Sequence, residues 1–93
     1  MDLPIQFQNY ADADGIIKRL PVKLSKKIAL ANWALNLFEE GRVYSEKEVN
    51  ETIGEHILDF ALIRRMLVTS GHLNRDPYGR EYRRVSNSKA QTN

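Results

Sequence analysis

The chain has 93 residues, a formal net charge of +2 and no cysteine. That length suits one small domain with a single core, and the lack of thiols excludes disulfides and cysteine chemistry. No stretch approaches the roughly 20 apolar residues of a membrane span, the opening MDLPIQFQNY lacks the basic start and apolar run of a signal peptide, and a cysteine-free chain suits a cytoplasmic setting.

Residues 1–15 read as an N-terminal arm. Leu3, Ile5 and Phe7 alternate with other residues as in a short strand or a docking segment. Asp12, Ala13, Asp14 and Gly15 have turn composition. Residues 16–20 are expected to form a short strand, stopped by Pro21.

The first core helix follows, with Ser25 as the expected N-cap. Leu24, Ile28, Ala31, Leu35 and Phe38 recur at spacings of four, three, four and three, which makes one apolar stripe. Leu30, Trp33, Ala34 and Leu37 widen the stripe, so this helix is expected at the centre of the core, with Gly41 as its stop. Lys23, Lys26 and Lys27 stand at its start, where a cation opposes the helix dipole. Phosphate contact and a plain solvated face are both open readings for them.

Arg42, Val43 and Tyr44 leave room only for a strand of two or three residues. Ser45 and Glu48 then have the spacing of a capping box, with Tyr44 and Val49 placed as a hydrophobic staple. Glu46, Glu48 and Glu51 lie near the positive end of the new helix. Val49, Ile53 and Ile57 are expected inward, and Gly54 weakens the helix. Asp59 is the expected cap of a third helix from Phe60 to Ser70, with Leu62, Ile63, Met66 and Leu67 on one side, and Arg64, Arg65, Val68 and Thr69 on the other. Gly71 ends it.

Leu73, Asn74 and Arg75 form one arm of an expected hairpin, Asp76, Pro77, Tyr78 and Gly79 fit a type I turn, and residues 82–85 form the return arm. Residues 86–93, with Ala90 as their sole apolar residue, are expected to be a disordered tail. The order is helix, short strand, helix, helix, hairpin. It predicts a mainly α, α+β fold: a winged helix-turn-helix over residues 16–85, with three core helices and a small antiparallel sheet.

The tract Tyr44, Ser45, Glu46, Glu48, Val49 and Asn50, then Asp59, Ile63, Arg64 and Arg65, then Gly71, Leu73, Arg75 and Tyr82, resembles the bacterial family called domain of unknown function 2087. Leu20, Pro21 and Lys23 also match its pattern, and Ile63 stands where the family has Leu. The resemblance covers roughly residues 14–85. Some members of the family are fused to helix-turn-helix regulators of the arsenic-repressor type, which implies work connected with transcription, either as DNA reader or as accessory half.

Charge falls in blocks. Residues 16–27 carry five Lys or Arg and no acid; residues 39–59 carry seven acids against Arg42 and Lys47; residues 64–84 carry six Arg against Asp76 and Glu81. In a winged helix the third helix enters the major groove, where Arg64 and Arg65 would donate to base edges. The competing reading pairs one of them with an acid of the second helix, Glu48 or Glu55. Thr69 and His72 would meet a base or phosphate, or serve as ordinary surface groups, and Val68, expected exposed, would meet a thymine methyl or a protein partner. Arg75, Arg80, Arg83 and Arg84 would follow the backbone or enter the minor groove, against a merely solubilising hairpin. Tyr78 at the turn would stack on a base or anchor in a partner. Asn50 is expected to reach a backbone group across the helix pair rather than a ligand.

An enzyme is not expected. His56 and His72 lack the partners of a zinc site, Ser45 is committed to capping, and the glycines are too scattered for a phosphate loop. No metal or cofactor is expected. The first functional reading is therefore a duplex DNA-binding domain of regulator type. The second is a protein-interaction or dimerisation module, with Ile5, Phe7 and Trp33 as a homodimer seam or a contact for a regulator partner. The third is single-stranded nucleic acid or RNA binding through Tyr78.

Overall fold

Side-chain caps set where two of the four helices begin. The computed structural model describes residues 3–85. In chain order it forms α1 (Ile5–Gln8), α2 (Leu24–Leu35), β1 (Val43–Ser45), α3 (Glu46–Gly54), α4 (Phe60–Thr69), β2 (Leu73–Arg75) and β3 (Glu81–Arg84). This is a small α+β fold with four helices and one three-stranded antiparallel sheet of order β1-β3-β2. The expected tail at 86–93 lies outside the described residues.

The Ser45 hydroxyl accepts from the Glu48 N–H at 3.1 Å, and the Glu48 carboxylate accepts from the Ser45 N–H at 2.9 Å. Two of the otherwise unpaired donors at the start of α3 are thereby satisfied. Tyr44 and Val49 are both buried, as a staple requires. Asp59 caps α4 by accepting from the Leu62 N–H at 3.3 Å. Gly71, with φ +84°, supplies the left-handed residue that ends α4 and turns the chain into β2.

The last strand lies in the middle of the sheet. Tyr82 of β3 is paired with Tyr44 of β1 on one side and Arg75 of β2 on the other. Tyr82 is buried, so this row faces the helices, while Val43, Arg83 and Asn74 form the opposite row and face solvent. The core joins Leu30, Ala31, Ala34 and Leu35 of α2, Val49 and Ile53 of α3, Ile63 and Leu67 of α4, and Leu73 and Tyr82 of the hairpin. Phe38 meets Tyr44 edge-on at 5.0 Å.

Three expectations are corrected. The start of the chain is a one-turn helix rather than a strand, and Leu3 and Phe7 are buried in the core. Phe7 is thus removed from any dimer seam, leaving Ile5 exposed and Trp33 half-buried against the core. Residues 16–20 form no strand. Ile17 bridges Ala11 and Ile57, and the Ile16 carbonyl accepts from the Asp12 N–H at 2.9 Å, but Lys18 and Arg19 are exposed and Pro21 follows. Finally, α2 starts at Leu24 with Lys23 in the cap position and no side-chain cap, and it ends at Leu35, well before Gly41. Its buried face is centred on residues 30, 31, 34 and 35. The first two members of the expected stripe, Leu24 and Ile28, are 66% and 44% exposed.

The cap predicts a cost and a pH dependence. Ser45→Ala is expected to destabilise the fold by about 1 kcal/mol, read as a lower midpoint in denaturant. The Glu48 carboxyl lies below its ordinary value of 4.5, chiefly because the Ser45 N–H donates to it, with Arg42 adding its charge. The Asp76 carboxyl lies below 3.8, chiefly through the Glu81 N–H. Both groups have a folded value below the unfolded one. Their contribution is therefore complete above the ordinary values and is lost as pH falls through the lower, folded values. The melting temperature should decline below about pH 4.5, with a shallower decline in Glu48→Gln, which keeps the acceptor and removes the titration.

Candidate nucleic-acid interface

The face of α4 that carries the arginines opens onto the hairpin. Arg64, Arg65, Val68 and Thr69 line one polar cleft with Arg75 of β2, and its volume is about 620 Å³. The sheet register places Arg75 there, because its pairing with Tyr82 puts it on the helix-facing row. These five sequence-predicted residues are brought together, but they are not equivalent.

Arg64 is held inside the fold. Its side chain is 21% exposed and 3.7 Å from the Glu46 carboxylate. It also donates to Oδ1 of Asn50. The same Glu46 oxygen accepts from the Tyr82 hydroxyl at 3.1 Å. Burial, reinforced by that carboxylate, raises the Tyr82 phenol above its ordinary value. One cluster thus joins α3, α4 and β3. Asn50 bridges the helix pair as expected, although its partner is an arginine side chain. The acid involved is Glu46 rather than Glu48 or Glu55. Arg65, one residue on, is exposed and has no ion pair or side-chain hydrogen bond among the described residues. Thr69 is exposed beside it.

Arg84 is withdrawn from the surface. Its guanidinium donates to the carbonyls of Leu35 and Phe38 at 3.4 and 3.0 Å, and its side chain is only 13% exposed. It adds a donor to the Leu35 carbonyl at the end of α2, which also accepts from the Phe38 N–H at 3.1 Å, and serves the Phe38 carbonyl in the turn beyond the helix. The reading of Arg84 as a phosphate contact is corrected on this ground. Arg83 is free of that task and points from the solvent row of the sheet, away from the α4 cleft. At the hairpin tip, Tyr78 is 79% exposed, with the Arg80 guanidinium 5.4 Å from its ring centre. Asp76 holds the turn by accepting from the N–H groups of Arg80 and Glu81 at 2.6 and 3.1 Å.

Val68 is half-buried and packs on the core rather than standing exposed, although it still lines the cleft. His72 is tied to Ser70, with Nδ1 2.6 Å from the hydroxyl. His56 packs edge-on against Trp33 at 5.2 Å. Lys23, Lys26 and Lys27 do not line the arginine cleft. Lys26 instead reaches the Tyr10 hydroxyl at 3.5 Å. The two basic blocks of the sequence therefore do not merge there.

The acids of α3 are disposed elsewhere. Glu48 pairs with Arg42 at 3.0 Å, and Glu48, Glu51 and Glu55 line a different cleft beside Leu37, Glu39 and Tyr44. Among the described residues, no group of three or more His, Cys, Asp or Glu is placed to hold a metal ion. No described helix is long and apolar enough to cross a membrane.

A family model described as "Uncharacterized protein conserved in bacteria (DUF2087)" matches residues 16–84. The chain belongs to that family. No curated protein and no solved structure matches it.

The two neighbouring arginines should separate on melting. Arg64→Ala leaves Glu46 and Asn50 without their partner and is expected to cost about 1–3 kcal/mol. Arg84→Ala, which removes the donor to the Leu35 and Phe38 carbonyls, should cost a similar amount. Arg65→Ala should melt within about 0.5 kcal/mol of the parent. Denaturant titration of the three variants checks this, and equal loss in Arg64→Ala and Arg65→Ala would contradict the division of roles.

Proposed function

We propose that this member of the family is a duplex DNA-binding domain of the winged-helix kind, acting in transcription in the cytoplasm. The observation that carries the reading is the cleft between α4 and β2, where exposed Arg65 and Thr69 stand with Arg75 while the acids of α3 face other partners. The element order, with β3 between β1 and β2, fits a recognition helix followed by a wing.

In this reading α4 enters the major groove. Arg65 is the base-reading residue, since a guanidinium donates two hydrogen bonds to a guanine edge. Thr69, one turn further along the same helix face, touches the neighbouring base or phosphate. Arg75 and Arg80 contact phosphates from the hairpin, and Arg83 adds sequence-independent attraction from the far side of the sheet. Arg64 acts only by holding α4 in place. The exposed Tyr78 favours a second reading, single-stranded nucleic acid, because a ring at a turn tip can stack on an unpaired base.

Selection from a random duplex pool at low and physiological salt tests the proposal. Arg65→Ala is expected to flatten sequence preference, at a cost of about 1–3 kcal/mol at one base pair. Arg83→Ala should weaken all sequences alike and lessen the salt dependence. Absence of both enrichment and salt dependence would reject nucleic-acid binding through this face. Preference for a matched single strand, lost in Tyr78→Ala, would transfer the assignment to the second reading.

A further inference from the structure

A second groove, of about 420 Å³, lies between α2 and α4. Leu24, Ile28 and Ala31 of α2 and Met66 of α4 supply its apolar lining, with Arg65 and Thr69 among its polar residues. Leu24 and Ile28 are 66% and 44% exposed on a helix whose other face makes the core. Large aliphatic side chains side by side in a concave surface are the usual anchors for a partner's helix, and the unbranched Met66 adapts to the shape of what enters.

The charge around the groove decides what that partner is. Neither α2 nor α4 contains an Asp or Glu, and no acid lines the groove. Arg65 has no acidic partner among the described residues, and Lys23 and Lys27 directly precede Leu24 and Ile28. A second copy docked through this same face would set these cations against their own kind, which opposes association. A helix with apolar residues on one face and carboxylates along its flanks would complement both the lining and the rim. We propose that this groove is the docking site for an acidic amphipathic helix of a partner protein.

Arg65 and Thr69 line both this groove and the cleft on the hairpin side of α4. An acidic helix in the groove would neutralise the arginine assigned to base reading, so docking and duplex binding would oppose each other. That last step rests on the DNA reading of α4; the docking site itself does not.

The probe is a synthetic amphipathic helix of about four turns, with leucines on one face and glutamates flanking them, titrated into the full chain. A second peptide carries lysine at each glutamate. The glutamate peptide should bind and shift the amide resonances of Leu24, Ile28, Arg65 and Met66, and the lysine peptide should bind at least about tenfold more weakly. The double variant Leu24→Gln, Ile28→Gln alters solvent-facing residues, should melt like the parent, and should lose about tenfold or more in affinity. Equal binding of the two peptides, unaltered affinity in the double variant, or resonance shifts confined to another face would overturn the proposal. So would self-association of the parent chain that the double variant abolishes, since the face would then belong to a second copy. Displacement of bound duplex by the glutamate peptide would support the opposition of the two partners. Peptide binding by a chain that binds no duplex would support the docking site and reject the DNA reading alone.

Discussion

The Glu46 carboxylate is where the parts of this fold are tied together. It accepts from the hydroxyl of Tyr82 in the central strand and lies against the guanidinium of Arg64 in α4. Glu46 is also the first residue of α3, directly after the Ser45 cap. The place where α3 begins is therefore coupled to the angle at which α4 meets the sheet. Partly buried charges of this kind are tolerated when each has a partner, and removal of one leaves the others desolvated. Asn50, one turn along α3, supplies the remaining acceptor for Arg64 and completes the cluster.

This arrangement sorts residues that composition alone treats alike. Arg64 and Arg65 are adjacent, yet one stabilises the helix pair and the other is solvent-facing beside Thr69. Arg83 and Arg84 are adjacent in a strand, and the pleat sends them to opposite faces. One then serves the end of α2, while the other faces water. The acids follow the same logic. Glu46 is engaged by Arg64, Glu48 by its cap and Arg42, and the remainder of α3 presents its carboxylates to a separate cleft. A chain of small net charge thus keeps Glu48, Glu51 and Glu55 of α3 in a cleft apart from the free side of α4, where Asp76 of the hairpin turn is the acid that lines the arginine cleft.

Legibility in the sequence followed the range of the interactions involved. The capping box at Ser45, the Asp59 cap, the stop at Gly71 and the turn at Asp76 all depend on partners within a few residues, and each occurs where the sequence places it. The three-stranded sheet was readable because Val43 to Ser45 can satisfy its backbone only beside the hairpin. Features set by distant partners were not readable. Periodicity showed that α2 has an apolar stripe, but not that the core ends before its first turn. Alternation at Leu3, Ile5 and Phe7 resembled a strand, although a single turn of helix buries the first and third just as well. Nothing local marks Glu46 as the partner of Arg64, which lies 18 positions later, or Arg84 as the partner of carbonyls at the end of α2. Arg65 and Thr69 were readable as sharing a face of α4; that Arg75 joins them, and which arginine stays free, was not.

The central position of β3 bears on how the molecule is made. β1 and β2 flank it and pair with it rather than with each other. On a ribosome both outer strands emerge first, with no neighbour to bond. No ladder can close until Tyr82 is outside the exit tunnel. The Leu35 and Phe38 carbonyls that receive Arg84 wait on the same segment. Helices can form as they emerge, because their hydrogen bonds are local. Sheet order, by contrast, arrives late, when one short strand supplies the sheet with its middle and brings Arg84 to the carbonyls near the end of the first long helix. During synthesis the nascent chain therefore spends its time as helices without a sheet, with its outer strand edges open to whatever else is nearby.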